Sequence, residues 1–370
     1  MFKNLARASV VTLGAMLAVT ASPAVHAQAP ATKPPLKVAF VYVSPIGDAG
    51  WTFQHEQGRL AMQKALGDQV AASAVESVAE GPDSERVIRD LAAQGNRLIF
   101  ATSFGYLEPT LRVAADRPDV KFEHAGGYKT AANVNTYNAR YYEARYLAGL
   151  LAGKTSRSGI AGYVAGFPVP EVVQGINAFA LGMREANPAA IVKVLWLNTW
   201  FDPAREREAA QSLINQGADV LTNHSGSPAV PQTAQANFKT KGVRAIAYQS
   251  DMSRYAPDAQ LAAVTQHWGG YYTRVARAAL ARTWKPEPYW GGMKDGVVQL
   301  SPIARDVSAA TLALVDARRA QIVAGRFQPF TGPLVDNEGK VRLARGTLDD
   351  AAISTMNWFV RGVAGSVPKP

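Results

Sequence analysis

Short apolar runs and longer amphipathic stretches alternate along most of this chain, and the alternation repeats in two series. In the first, strands are expected over residues 36–43, 70–78, 97–101 and 120–126. Helical patterns lie between them over 52–66, 83–94 and 106–116, with Gly81-Pro82 and Gly95 as punctuation. Asp83 or Ser84 is the expected cap of the second helix. The second series places strands at 158–165, 192–197, 220–223 and 243–249, with helices within 168–187, 202–216 and 230–241. Asp202 is positioned to cap the middle one. Apolar runs of four to eight residues joined by helices are the signature of parallel sheets covered on both faces. Two such series in one chain predict an α/β protein with two doubly wound lobes and a ligand cleft between them.

The intervening segment 128–153 reads as one long helix after an irregular start, with Tyr141, Tyr142, Tyr146 and Leu150 on a packed face. A second long helix begins near Tyr272, and residues 297–300 form a short strand. The resulting division has a leader at 1–27, the main part of a first lobe at 28–158 and a second lobe at 159–271. Residues 272–322 return to the first lobe through a hinge region, and 323–370 form a tail packed back on the lobes. Met356, Trp358 and Phe359 give that tail its apolar contact.

The leader combines Lys3 and Arg7 with an apolar run at 8–20 and a small-residue site ending at Ala27. That run is too short for a bilayer span, which takes roughly 20 residues. Export and cleavage are therefore expected, with a periplasmic mature chain of about 340 residues, a length that favours two domains. The sequence has no cysteine, which excludes disulfides, thiolate catalysis, Cys-metal sites and a lipidated N-terminus. No direct membrane anchor is expected. The formal net charge of +10 falls by two with the leader, and its lysines and arginines are interspersed with acids. There is no basic stripe, so no nucleic-acid partner is expected.

In open α/β sheets, ligands collect beyond the carboxyl ends of strands. Those positions here carry Asp48, Trp51, Phe53, Ser103, Phe104 and Gly105 in the first lobe. In the second they carry Phe167, Trp200, Asn223, Ser225, Gln249, Asp251 and His267. Two facing aromatic rings suit a flat heterocycle, with Asp48, Asn223 or Asp251 fixing its polar edge. Trp51 has a plainer use stapling its loop, and Asp251 one in tying its own turn. The histidines lack metal-ligand spacing, and no phosphate loop, dinucleotide fingerprint or nucleophile elbow occurs. Neither an enzyme nor a cofactor or metal is expected.

Six stretches carry a family resemblance: Gly47-Asp48-Ala49-Gly50-Trp51, Tyr146-Leu147-Ala148-Gly149-Leu150-Leu151-Ala152, Phe201-Asp202-Pro203-Ala204, Gln216-Gly217-Ala218-Asp219-Val220, Gly296-Val297-Val298-Gln299-Leu300, and Met356-Asn357-Trp358-Phe359-Val360-Arg361-Gly362. Across residues 37–368 the chain resembles the basic membrane protein family of solute-binding proteins, which includes purine nucleoside receptors of ABC importers. The resemblance implies two Rossmann-like lobes of periplasmic-binding-protein type that close on a solute, and a membrane permease as partner. It also shows departures. The family's Ser-Phe-Asn is Gly50-Trp51-Thr52, an acidic position falls at Gly126, and the first aspartate of a Val-Asp-Ser-Asp-like turn is Gln249, with Asp251 retained. A lysine position falls at Gln266. Loss of a carboxylate and an ammonium disfavours ribose and points to a free purine base, with a nucleoside as the alternative. Presentation of solute to a receptor is the alternative to import.

Overall fold

The computed structural model describes residues Met1, Ala8, Ser9 and 34–368. Apart from those three residues, the leader read over 1–27 lies outside the described residues.

Strand β1 (Leu36–Val41) opens the first sheet and is followed by α1 (Trp51–Leu66), β2 (Val70–Val75) and α2 (Pro82–Ala93). Next come β3 (Leu98–Ala101), α3 (Leu107–Asp116), β4 (Lys121–Ala125) and β5 (Val134–Ala139). Helix α4 (Tyr141–Thr155) leads to the second series: β6 (Ile160–Ala165), α5 (Pro170–Ala186), β7 (Ile191–Trp196), α6 (Pro203–Asn215) and β8 (Val220–His224). That series continues through α7 (Ala229–Lys241), β9 (Arg244–Gln249) and β10 (Gln260–Gln266). The chain then runs through α8 (Gly269–Leu280), β11 (Tyr289–Gly291), β12 (Val298–Leu300) and α9 (Ala309–Val323). It ends with β13 (Leu334–Val335), β14 (Val341–Leu343), α10 (Asp350–Ser354) and β15 (Val363–Ala364).

The first sheet has the order β11-β5-β4-β3-β1-β2 and is parallel throughout. The second runs β12-β10-β9-β8-β6-β7-β15, parallel except for the antiparallel β12 edge. The chain passes between the sheets three times: through α4, through α8, and between β11 and β12. Strand interiors such as Val38, Ala39, Phe40 and Val41 are wholly buried, as covering helices on both faces require.

Helix α4 is buried along nearly its whole length and packs backbone to backbone on α5. A Cβ on Gly149 would stand 2.0 Å from the Phe179 carbonyl oxygen, and one on Gly182 2.0 Å from that of Tyr146. Only glycine permits this approach. Asp202 caps α6, accepting from the amides of Ala204 and Arg205, with Pro203 at the first helical position. Helix α2 differs from expectation: it starts at Pro82 after Gly81 without a side-chain cap, and Ser84 Oγ donates to the Gly81 carbonyl instead.

Residues 128–153 are not one helix, because β5 precedes α4. Polar residues disguised this strand. Asn135 faces inward, where its Nδ2 donates to Glu123 Oε2 at 3.1 Å and to Tyr271 Oη at 3.2 Å, while its Oδ1 has no partner among the described residues. The tail folds back on the second sheet. Asn177 of α5 donates to the Trp358 carbonyl at 2.7 Å and accepts from the Val360 amide at 3.0 Å, and β15 extends the sheet beside β7.

Candidate functional site

Both sheets share one ordering. Counted along the chain, each has its second strand beside its first, and its first beside its third. The connections diverge to opposite faces there, between β1 and β3 and between β6 and β8, leaving a crevice at the carboxyl edge. The two crevices face each other across a cavity with about 550 Å³ of empty volume, part of it open to solvent. The first sheet contributes Val43, Ser44, Trp51, Ser103, Phe104, Ala125 and Gly126 to its wall. The second contributes Val169, Glu171, Trp200, His224, Ser225, Gly226 and Gln249.

The aromatic rings are held by their polar handles. Trp51 Nε1 donates to the Thr102 carbonyl at 2.7 Å, and its ring meets the buried His55 edge-on at 4.3 Å. Trp200 Nε1 donates to Glu80 Oε1 at 3.1 Å. The same oxygen accepts from Ser103 Oγ at 2.6 Å and from the Gly105 amide at 2.8 Å. Phe167 packs edge-on behind Trp200 at 4.9 Å. With both indole N–H groups committed, the two rings offer apolar surface to the cavity.

The serines of the wall are likewise committed. Ser44 Oγ pairs with Thr52 Oγ1 at 2.7 Å, and Ser225 Oγ donates to the buried Glu206 at 2.8 Å. Ser227 adds a second bond to that carboxylate at 2.7 Å. Burial still pushes Glu206 up to about 7. Free polar capacity lies in three residues on the second-sheet side. Gln249 Oε1 and His224 Nδ1 are buried without a hydrogen-bond partner among the described residues. Glu171 Oε1 lies 3.3 Å from His224 Nε2. Burial lowers the pKa of His224, so its ring stays neutral. Gln249 is also held at φ 73°, a conformation costly for a residue with a side chain and concentrated at functional sites.

Of the residues singled out in the sequence, the wall brings together Trp51, Ser103, Phe104, Trp200, Ser225 and Gln249. Phe167 and Gly105 stand behind it, on Trp200 and Glu80 respectively. Phe53 lies on α1 off the wall. Asn223 spends its amide on Ser225, donating to the carbonyl at 3.1 Å and to Oγ at 3.3 Å. Asp251 ties its own turn through the Ser253 amide at 2.8 Å and Gln260 Nε2 at 2.7 Å. His267 pairs with Thr265 Oγ1 at 3.0 Å in a separate groove, and Gln266 is tied to Tyr141 and Trp268. Asp48 lies at the cavity's outer edge, half exposed, pairing with Arg254 and Tyr255 of the second-sheet side.

Sequence reasoning passed over Glu80 and Glu171, and set aside His224. Glu171 sits just after Pro170 in the first turn of α5, where an acid is ordinary for any helix. Its one distinguishing signal is that this turn follows the carboxyl end of β6.

Asp48 is part of a wider set of contacts joining the two edges. The Gly50 amide donates to Ser250 Oγ at 2.7 Å, and the Trp200–Glu80 bond crosses the same gap. Two α/β lobes with mostly parallel sheets, meeting around a small aromatic cavity, have the periplasmic-binding-protein-like fold that ABC transporter solute-binding proteins share with related regulators. The fold is similar to that of an ABC transporter solute-binding protein from Aeropyrum pernix K1. That match has a TM-score of 0.68 and 18% identity, and covers 80% of this chain and 93% of the other. Residues 36–322 match the family described as ABC transporter substrate-binding protein PnrA-like. The purine-binding protein BAB2_0673 of Brucella abortus is 48% identical over 335 residues, 90% of this chain and 94% of its own length. A putative ABC transporter glucose-binding protein, TsgA13 of Haloferax volcanii, is 38% identical over 333 residues, 90% of this chain and 81% of its own. The chain belongs to the PnrA-like (Bmp) family of ABC transporter substrate-binding proteins. It is a non-catalytic transport component.

Proposed function

We propose that this chain captures a purine base in the cavity between the two sheets and delivers it, unchanged, to the permease of an ABC importer. The observation that carries the reading is the cavity wall itself. Trp51, Phe104 and Trp200 supply apolar ring surface, while Glu171, His224 and Gln249 supply a short polar edge. A flat heterocycle with polar atoms on its rim uses both. The 48% identity to a purine-binding protein supports the same ligand class. Each sheet with its helices acts as a lobe, and solute contacts from both favour the closed form. The leader pattern read over 1–27 supports export to the periplasm as the place where the solute is captured.

A hexose is the second reading, raised by the 38% identical relative. Its five hydroxyls exceed what three uncommitted polar side chains can serve, which disfavours it. Purified mature protein, denatured and extracted, tests the choice by mass spectrometry of whatever solute it retained. A purine base near one equivalent is the expected result. An intact nucleoside would refute the preference for a free base, and a sugar would refute the purine class.

A further inference from the structure

Glu171 is a mostly buried carboxylate whose only ion-pair contact among the described residues is a histidine held neutral by burial. It belongs to the second-sheet side but reaches across the cavity: a Cβ built on Gly126 would lie 3.6 Å from its Oε2. A carboxylate withdrawn from water without a cation requires hydrogen-bond donors, and the surrounding wall supplies few. The arrangement of His224 accentuates this. A neutral imidazole facing a carboxylate at 3.3 Å places its proton on Nε2, which leaves the unpartnered Nδ1 as an acceptor. The unpartnered Gln249 Oε1 adds an acceptor, next to the N–H donors of its own amide. The Ser103 and Ser225 hydroxyls cannot balance them, because each donates to a glutamate of the protein.

We infer that the Glu171 carboxylate and His224 Nδ1 form an acceptor pair that selects an aminopurine, a base whose exocyclic amine supplies the missing donors, while the Gln249 amide beside them can donate to or accept from ring atoms. This rests on the purine reading above and narrows it. An amine donates two N–H groups to such a pair, whereas a carbonyl at the same place sets oxygen against oxygen. The mismatch leaves buried acceptors unpaired, the situation that gives polar sites their strongest discrimination.

Calorimetric titration of solute-free protein with adenine, guanine and hypoxanthine, for wild type and Glu171→Gln, tests the inference. Hypoxanthine lacks the amine that each of the others carries. Wild type should bind the tighter of the two amino bases at least about tenfold better than hypoxanthine. Glu171→Gln turns one acceptor into a donor without changing shape. It should weaken the amino base about ten- to hundredfold while hypoxanthine binding persists or improves, which also shows that the variant is folded. An unchanged amino-to-oxo ratio in the variant would overturn the inference, as would a wild-type preference for hypoxanthine. A loss confined to adenosine, with adenine unaffected, would assign Glu171 to ribose and overturn it too. Purine binding without amine preference would sink this inference alone, whereas no purine binding at all would sink the proposed function with it.

Discussion

Glu123 sits in the middle of β4 with no exposed surface, accepting from Tyr271 Oη at 2.6 Å, Trp284 Nε1 at 2.7 Å and Asn135 Nδ2 at 3.1 Å. Burial outweighs these bonds and pushes its pKa from the ordinary 4.5 to about 7. A carboxyl whose folded pKa is raised contributes stability that is complete below about 4.5 and is lost as pH climbs to 7. His55 and His124, lowered by burial to about 3, act oppositely, and their contribution is lost as pH falls below about 6.5. Glu123→Gln removes the acid's share alone. The stability of that variant relative to wild type should therefore rise by ~3 kcal/mol between pH 4.5 and 8, at about 1.4 kcal/mol per pH unit. Urea unfolding at a series of pH values reads this, and a difference independent of pH would refute it. At this scale the sequence was legible where an aromatic followed a strand, as with Trp51, Phe104 and Trp200, which stand on the wall. Asp251 takes the turn-tying use that its sequence context allows, through the Ser253 amide, whereas the partners of Asp48, Arg254 and Tyr255, are far away in the sequence and only the fold brings them to it.

The loop between β1 and α1 is the element that ties sequence pattern to closure. Gly50 stands at φ 92°, and a Cβ there would lie 2.1 Å from the Gly226 carbonyl oxygen across the cavity mouth. No flexible side chain is available to yield, since the neighbouring atom is backbone. Gly50→Ala should consequently hold the two edges apart, lowering solute affinity at least about tenfold, with a further cost from the left-handed backbone. Calorimetry on the variant checks this, and wild-type affinity would show that the Gly50–Gly226 contact has no part in binding. Strand and helix order was largely readable because apolar runs and Gly/Pro punctuation recur with regular spacing. Strand β5 escaped because Asn135 and Asn138 interrupt its apolar pattern, and β10 because its alanines carry little strand signal. Both strands depend on neighbours for their identity: β5 on β4 and β11, β10 on β9 and β12.

Across the whole molecule, three chain passages between sheets and a cavity at their facing edges fit a protein that opens and closes around solute. The two-series pattern carried that architecture in the sequence, while the polar composition of the cavity did not appear until the facing edges were brought together. The sequence argument for a free base relied on a carboxylate missing at Gly126. Folding returns a carboxylate to that neighbourhood as Glu171, from the other sheet. The most direct test of the account is a calorimetric titration of solute-free mature protein with purine bases and, separately, with glucose. The account predicts saturable one-to-one binding of a purine base, with a negative heat-capacity change from burial of the ring, and no heat from glucose. Saturable glucose binding with no response to any purine would contradict it.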